Sequence, residues 1–209
     1  MYRPETLKNI LVSDNTFHIW AKAVNPNCNV VRWIPWIDFE HYAYKGPSDY
    51  LEMGCYIVGF QHVWPNEFKQ STNFVEHYKI NFNIPINFTV TNGVSQKELP
   101  NVMHNTIATL HIKSIEGFGY SILESLACGR PVFLCREFAK GKRYTTWCIE
   151  GKTAFYFDTA EEFCQKLHKF VVDKEYRHFI QETTARTVRE IINNEEQAQI
   201  LQTFLDNLQ

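Results

Sequence analysis

The sequence predicts an α/β fold: a mostly parallel sheet flanked by helices. Two observations carry this. Short β-prone apolar runs alternate with segments of helical periodicity along most of the chain, the order that βαβ units impose. One of those runs, Cys55-Tyr56-Ile57-Val58-Gly59, is continuously apolar, as expected of a strand covered on both faces. At 209 residues, 44% apolar and 21% charged, the chain has the makings of one domain with a sizeable core or two very small ones. That composition excludes a disordered tail, a collagen-like repeat and a coiled coil.

Taken in order, Met1 to Lys45 hold one or two strand candidates, including Val30 to Ile34 before Pro35, and a possible helix from Phe17 to Val24. Tyr44-Lys45-Gly46-Pro47-Ser48 reads as a linker. After the Cys55–Gly59 strand, Asn66 to Tyr78 reads as a helix, with Phe68, Val75 and Tyr78 on one face. Asn87 to Thr91 is β-prone and ends on the turn signal Asn92-Gly93. Leu99, Val102 and Met103 suggest a short helix, and Ile107 to Ile112 the next strand. Ser121 to Ala127 is helical and stops at Gly129, with Pro131 opening the strand Val132 to Cys135. Thr153 to Phe157 forms a further strand, and Thr159 caps a helix carrying Phe163, Leu167 and Phe170. From Asp173 the chain is nearly all helix, in two or three segments.

Charge and cysteine usage narrow the class. Lys and Arg number 21 against 23 Asp and Glu, for a net charge of −2 and a pI of about 6.4, which argues against a nucleic-acid binder. Six scattered cysteines without a CxxC pair read as reduced core thiols. Cys164 and His168 lack a second pair to complete a zinc site. Met1 to Ile10 show no secretory signal, and no run reaches about 18 uninterrupted apolar residues. No membrane span is expected, and the reading points to the cytoplasm. Without a signal, the glycosylation pattern Asn87-Phe88-Thr89 carries little meaning. An aromatic content of 15% implies a ring-rich core or a stacking surface.

The chemistry concentrates in Ser114-Ile115-Glu116-Gly117-Phe118-Gly119-Tyr120-Ser121-Ile122-Leu123-Glu124 and the Ser125-Leu126-Ala127-Cys128-Gly129-Arg130-Pro131-Val132 that follows. This is a strand end, a glycine-rich turn, a helix start and a second strand. Ligands of open α/β sheets sit outside the carboxyl ends of the strands, where such a turn falls. Gly117 and Gly119 let the backbone approach a ligand. The amides opening the following helix favour a phosphate or a partly negative sugar oxygen. Glu116 and Glu124 accept hydrogen bonds from hydroxyls, so the set suits a ligand with both phosphate and sugar. Two other readings stand beside this one. The turn could serve only as a tight strand-to-helix connection, with Glu124 a solvated helix residue. It could also be a dinucleotide fingerprint, with Glu137 as the distant acid, although Ile122 replaces the third glycine.

The segment resembles the signature of retaining GT-B glycosyltransferases, in particular the large family four, the glycosyl transferases group 1. Glu116-Gly117-Phe118-Gly119, Leu123-Glu124, Ala127, Gly129 and Pro131-Val132 stand in register with E-G-F-G, three residues, L-E-x-x-A-x-G-x-P-V. Ile34-Pro35-Trp36-Ile37-Asp38 looks like the family's IPNGID segment, and Tyr56-Ile57-Val58-Gly59 like its first donor-domain strand. Asn92-Gly93-Val94 is similar to its nucleobase-side loop, and Glu150 to Phe155 to its late xxGxxGxLF strand.

The resemblance implies a Rossmann-like domain, one C-terminal half of a GT-B fold, that binds a nucleoside-diphosphate sugar without a metal or other cofactor. It assigns Glu116, Gly117, Phe118, Gly119 and Tyr120 to the transferred sugar and phosphates, with Glu116 as the catalytic carboxylate. It assigns Glu124 to the ribose, and Gly93 and Val94 to the base. Two departures accompany it. The family's diphosphate arginine is absent, since Gly59 is followed by Phe60-Gln61-His62-Val63-Trp64. Lys69 is the candidate for the accompanying lysine, with His62, Arg130 or Arg143 as other sources of positive charge. The acceptor domain, with its histidine, is also missing, so His18, His41 and His104 are not assigned that role. Residues 1–50 are then the linker and the end of a preceding domain, and 51–209 the nucleotide-sugar domain. The expected partners are the nucleotide-sugar and a separate acceptor-binding domain or protein. The rival reading is a non-catalytic sugar-nucleotide module or a subunit of a split transferase, and a third a dinucleotide-dependent oxidoreductase.

Overall fold

A computed structural model describes residues 8–13, 15–91 and 93–208. The readings placed on Met1 to Leu7 and on Asn92 lie outside the described residues. Strand β1 (Asn9–Val12), helix α1 (Asn15–Val24) and strand β2 (Asn29–Arg32) form a small unit of their own. Its two strands pair in parallel, Asn9 opposite Asn29.

The main sheet has five parallel strands: β3 (Glu52–Cys55), β4 (Asn87–Val90), β5 (Ala108–His111), β6 (Val132–Cys135) and β7 (Ala154–Phe157). Their order is β4-β3-β5-β6-β7. Between β3 and β4 run α2 (Phe60–Val63) and α3 (Pro65–Phe82), and between β4 and β5 runs α4 (Leu99–His104). Helix α5 (Tyr120–Ala127) joins β5 to β6. The short α6 (Arg136–Ala139) and a 3-10 turn at Arg143–Thr146 precede β7, and α7 (Ala160–Val172), α8 (Lys174–Ile191) and α9 (Asn194–Asp206) complete the chain. The predicted parallel sheet with flanking helices is what the structure contains.

Strand periodicity sorts the core into two layers. Val132 and Leu134 on β6, with Ala154 on β7, face Leu123 and Leu126 of α5. Phe133 on β6, with Phe155 and Phe157 on β7, faces the opposite way, onto Phe163, Leu167 and Phe170 of α7 and Val75 of α3. The rings of this second layer meet mostly edge-on or tilted, Phe133 against Phe163 at 5.7 Å and Phe157 against Phe163 at 5.1 Å, geometries that aromatic quadrupoles favour. Helix starts follow local chemistry. The Thr159 hydroxyl accepts from the Glu162 amide, the Asp173 carboxylate from Tyr176, and the Asn193 carbonyl from Glu195 and Glu196, each satisfying a first-turn donor. All six cysteines are free and buried.

The strand expected at Cys55–Gly59 lies earlier, at Glu52–Cys55. Glycine is disfavoured inside strands, yet Gly54 sits there because the Tyr56 ring lies across it; a Cβ at Gly54 would stand 2.2 Å from the Tyr56 hydroxyl oxygen. The apolar residues Tyr56 and Ile57 are buried beyond the strand's carboxyl end instead. The helix expected at Asn66–Tyr78 runs from Pro65 to Phe82.

The stretch Tyr44–Ser48 is fastened to the main layer. Gln181 of α8 accepts from the Ser48 amide (2.9 Å) and donates to the Ile107 carbonyl (2.8 Å). Gly129 has φ +76°, and a Cβ there would lie 2.4 Å from the Tyr44 ring and 2.9 Å from the Gln181 carbonyl oxygen, so no larger residue fits. Arg130, 1% exposed, donates to the carbonyls of Met103 (3.2 Å), His104 (3.0 Å) and Gly46 (3.3 Å). It is a structural tie between α4, residue 46 and the start of β6. Arg130→Met should therefore destabilise the fold by about 2–3 kcal/mol, the scale for orphaning carbonyls bonded to a charged donor, as measured by urea unfolding.

Candidate functional site

The strand order places the site. After β3 the chain builds β4 on one side of it and then β5 on the other, so the connections diverge between β3 and β5 and leave a crevice at their carboxyl ends. A cleft of about 740 Å3 opens there. Its walls are the segments following β3 (Tyr56–Val58), β4 (Thr91, Gly93, Val94 and Gln96) and β5 (Lys113 and Glu116), together with the first turn of α5; Trp36 to Tyr42 form the remaining wall.

Helix α5 presents its unsealed end to the cleft. Its N-cap is Gly119, at φ +84°, and no side chain caps the helix. A side chain at Gly119 would be strained and would meet the Tyr144 ring at 3.0 Å. Gly117 differs: a Cβ there meets nothing within 4 Å, so what it leaves is open space. Phe118 is buried against Trp147, with ring centroids 5.3 Å apart, and anchors the turn from below. Tyr120 and Ser121 line the cleft, where first-turn amides and the helix dipole favour an anion.

The two predicted carboxylates reach the same cleft in opposite electrostatic settings. Glu116 Oε2 accepts from His111 Nε2 (3.1 Å) and Lys113 Nζ (3.2 Å), while Oε1 accepts from the Gly117 amide (3.0 Å). Burial alone would raise its pKa, but the hydrogen bonds and positive charge of His111 and Lys113 outweigh it and hold the carboxyl at about 2. Glu124 is 7% exposed. Its Oε1 accepts from the Tyr42 hydroxyl (2.9 Å) and Gln96 Nε2 (3.0 Å), and Oε2 takes no hydrogen bond among the described residues. Burial raises its pKa, against the pull of those two donors.

The remaining predicted residues are distributed as follows. Gly93 and Val94 line the cleft. Lys69 is exposed on α3, and the described cleft lining does not include it, because a helix beginning at Pro65 carries position 69 into its second turn. His62 is exposed on α2, Arg130 is consumed by backbone carbonyls, and Arg143 lies in the 3-10 turn. Among the described residues lining the cleft, Lys113 is the only lysine or arginine. Its ammonium also stands 5.1 Å from the centre of the Trp64 ring. Neither Lys113 nor His111 was singled out from the sequence. His111 could have been, since the alternation of β5 turns Thr109 and His111 toward α5: Thr109 bonds Ser125 (2.6 Å) and His111 bonds the turn. The dinucleotide reading loses its support, since Ile122 is wholly buried in the core and the described cleft lining does not include Glu137. No group of three or more His, Cys, Asp or Glu among the described residues is placed to hold a metal ion.

Residues 50–188 match the sequence profile of the family described as Glycosyl transferases group 1. The chain belongs to this family. No curated protein sequence matches it. Among solved structures it resembles TarM of S. aureus (TM-score 0.77, 12% identity, 97% of this chain and 44% of that one). It also resembles the pneumococcal O-GlcNAc transferase GtfA in complex with UDP and GlcNAc (0.70, 10%, 96% and 45%), and Anabaena HepE in complex with UDP and glucose (0.63, 14%, 96% and 62%). The chain thus spans between 44% and 62% of the length of these structures, and its Rossmann-like sheet is that of one half of a GT-B fold. No described helix is long and apolar enough to cross a membrane.

The opposite settings of the two carboxylates give opposite pH signatures. Glu116 is depressed on folding, so its stabilising contribution is present above the ordinary carboxyl range and lost as pH falls through about 2. The stability difference between wild type and Glu116→Gln should therefore be full above about pH 5 and shrink steadily below it, followed by urea unfolding across pH. Glu124 is raised on folding, so its favourable, protonated form is present at low pH and lost as pH rises. Glu124→Gln should raise stability at pH 7 and lose that advantage as pH falls, read from the same unfolding curves.

Proposed function

We propose that this glycosyltransferase chain binds a nucleoside-diphosphate sugar in the cleft between β3 and β5 and serves as the donor half of a retaining, metal-independent hexosyl transfer. The observation that carries this is the convergence of an uncapped helix N-terminus, Glu116 and Glu124 on one cleft at the switch point. The amides of Tyr120 and Ser121 face the phosphates, a fixed partial charge that costs no reorganisation as the diphosphate departs. Glu124 keeps Oε2 for the ribose hydroxyls, since Tyr42 and Gln96 occupy Oε1. Glu116 and the open flank of Gly117 take the sugar, and Gly93 with Val94 border the base. In the transfer the bond between the sugar's anomeric carbon and the diphosphate oxygen breaks. The acceptor hydroxyl oxygen bonds to that carbon from the same face, and its proton passes to the departing phosphate oxygen.

The complexes of HepE with UDP and glucose and of GtfA with UDP and GlcNAc support this class of donor. On this reading the acceptor comes from a separate acceptor-binding domain or protein, and transfer takes place in the cytoplasm. The second reading, a sugar-nucleotide-binding subunit without chemistry of its own, draws on the cleft's charge: Asp38, Glu116 and Glu124 against Lys113.

Thermal-shift measurements across UDP, GDP and their sugars should show stabilisation by one nucleotide series, about 2.7 kcal/mol at 100 times its dissociation constant. Glu124→Ala should weaken that free nucleotide by about 1–3 kcal/mol. Wild-type affinity in this variant overturns the ribose assignment. Sugar release or transfer, with an acceptor domain supplied in trans, separates the enzyme from the binding subunit.

A further inference from the structure

A diphosphate entering this cleft meets three carboxylates and needs a cation to offset them. The cations weighed from the sequence are not in the described cleft lining: Lys69 and His62 are exposed elsewhere, Arg130 is locked onto carbonyls, and Arg143 lies in the 3-10 turn. What the cleft does contain is Lys113, the second residue after β5, beside the switch point and level with the Glu116 turn. Its side chain is 19% exposed and held twice, by Glu116 at 3.2 Å and by the face of Trp64 at 5.1 Å. Trp64 is the N-cap of α3, so the ammonium spans the gap between the α3 start and the Glu116 turn. The next residue is pinned, with the Ser114 hydroxyl bonded to Glu67 of α3, which fixes the backbone from which Lys113 extends.

We propose that Lys113 is the diphosphate-binding cation of this protein and that its ion pair with Glu116 is a latch that the donor opens. In the empty cleft the ammonium neutralises Glu116. When a diphosphate arrives, the ammonium transfers from one carboxylate oxygen to the dianionic diphosphate, a compact point charge moving on a flexible stem. Glu116 Oε2 then loses one of its two donors, retains His111, and gains a free lone pair for a hydroxyl of the sugar. Phosphate recognition thereby prepares sugar recognition. His111, buried beneath and bonded to the same oxygen, keeps the carboxylate in place as the lysine leaves and is a positioning residue. This inference rests on the donor-binding reading above and adds to it the residue and the order of events.

The test is calorimetric binding of UMP, UDP, GMP and GDP to wild type, Lys113→Met, Lys113→Arg and Glu116→Gln, with thermal melts as a check on folding. Wild type should prefer the diphosphate of its nucleotide over the monophosphate. Lys113→Met should lose that preference by about tenfold while monophosphate binding stays within about twofold, and Lys113→Arg should recover part of it. Glu116→Gln releases the lysine, so it should tighten the free diphosphate and weaken the intact sugar donor. A Lys113→Met protein that keeps the wild-type preference for the diphosphate, or a Glu116→Gln protein that fails to tighten it, overturns the latch and leaves donor binding standing. Absence of nucleotide binding by wild type overturns the donor reading and the latch together.

Discussion

The site depends on the burial of α5. From Ile122 to Ala127 every residue of this helix is buried, its apolar side chains against the sheet and its far end closed by Gly129. A helix so enclosed cannot tilt or slide without opening the core, and interiors at native packing density tolerate little of either. Its one exposed end is therefore held rigidly, with the Gly119 turn ahead of it and Glu124 one turn within. Rigid placement is what gives an electrostatic site its value, because dipoles fixed before the ligand arrives need not be reordered by it.

The same burial explains why two glutamates of one motif behave differently. Glu124 projects from the enclosed helix among Tyr42 and Gln96, neither of them charged, so desolvation dominates. Glu116 precedes the helix, on the turn, where β5 brings a histidine and a lysine within hydrogen-bond reach. Burial raises the pKa of the first at a cost to the fold, and the neighbouring donors hold that of the second well below the ordinary carboxyl range. A buried acceptor of hydroxyls and an anchored anion are the two chemistries that a sugar nucleotide asks for, and environment separates them where residue type does not.

Much of this was legible in the sequence, and the parts that were not share a cause. The helix after Gly119, the stop at Gly129, the strand from Val132 and the cap at Thr159 each follow from local chemistry: a glycine with positive φ, a proline, a hydroxyl at an N-cap. The register of β3 was not legible, because what admits Gly54 to a strand is the Tyr56 ring folded over it, a contact invisible to propensity. Lys69 is the family's lysine by resemblance alone, and with α3 starting at Pro65 it stands in the second turn, outside the described cleft lining. Lys113 lies just outside the motif that draws the eye. Only the joining of β5, the turn and Trp64 in space makes it the cleft's cation.

Trp36 lies on the rim of the cleft at 61% exposure, whereas Trp147 is sealed in the core beneath Phe118. An indole in water emits at longer wavelength than one in an apolar interior. With Trp20, Trp33 and Trp64 replaced by phenylalanine, the molecule would carry an internal reference at one ring and an optical gauge of occupancy at the other.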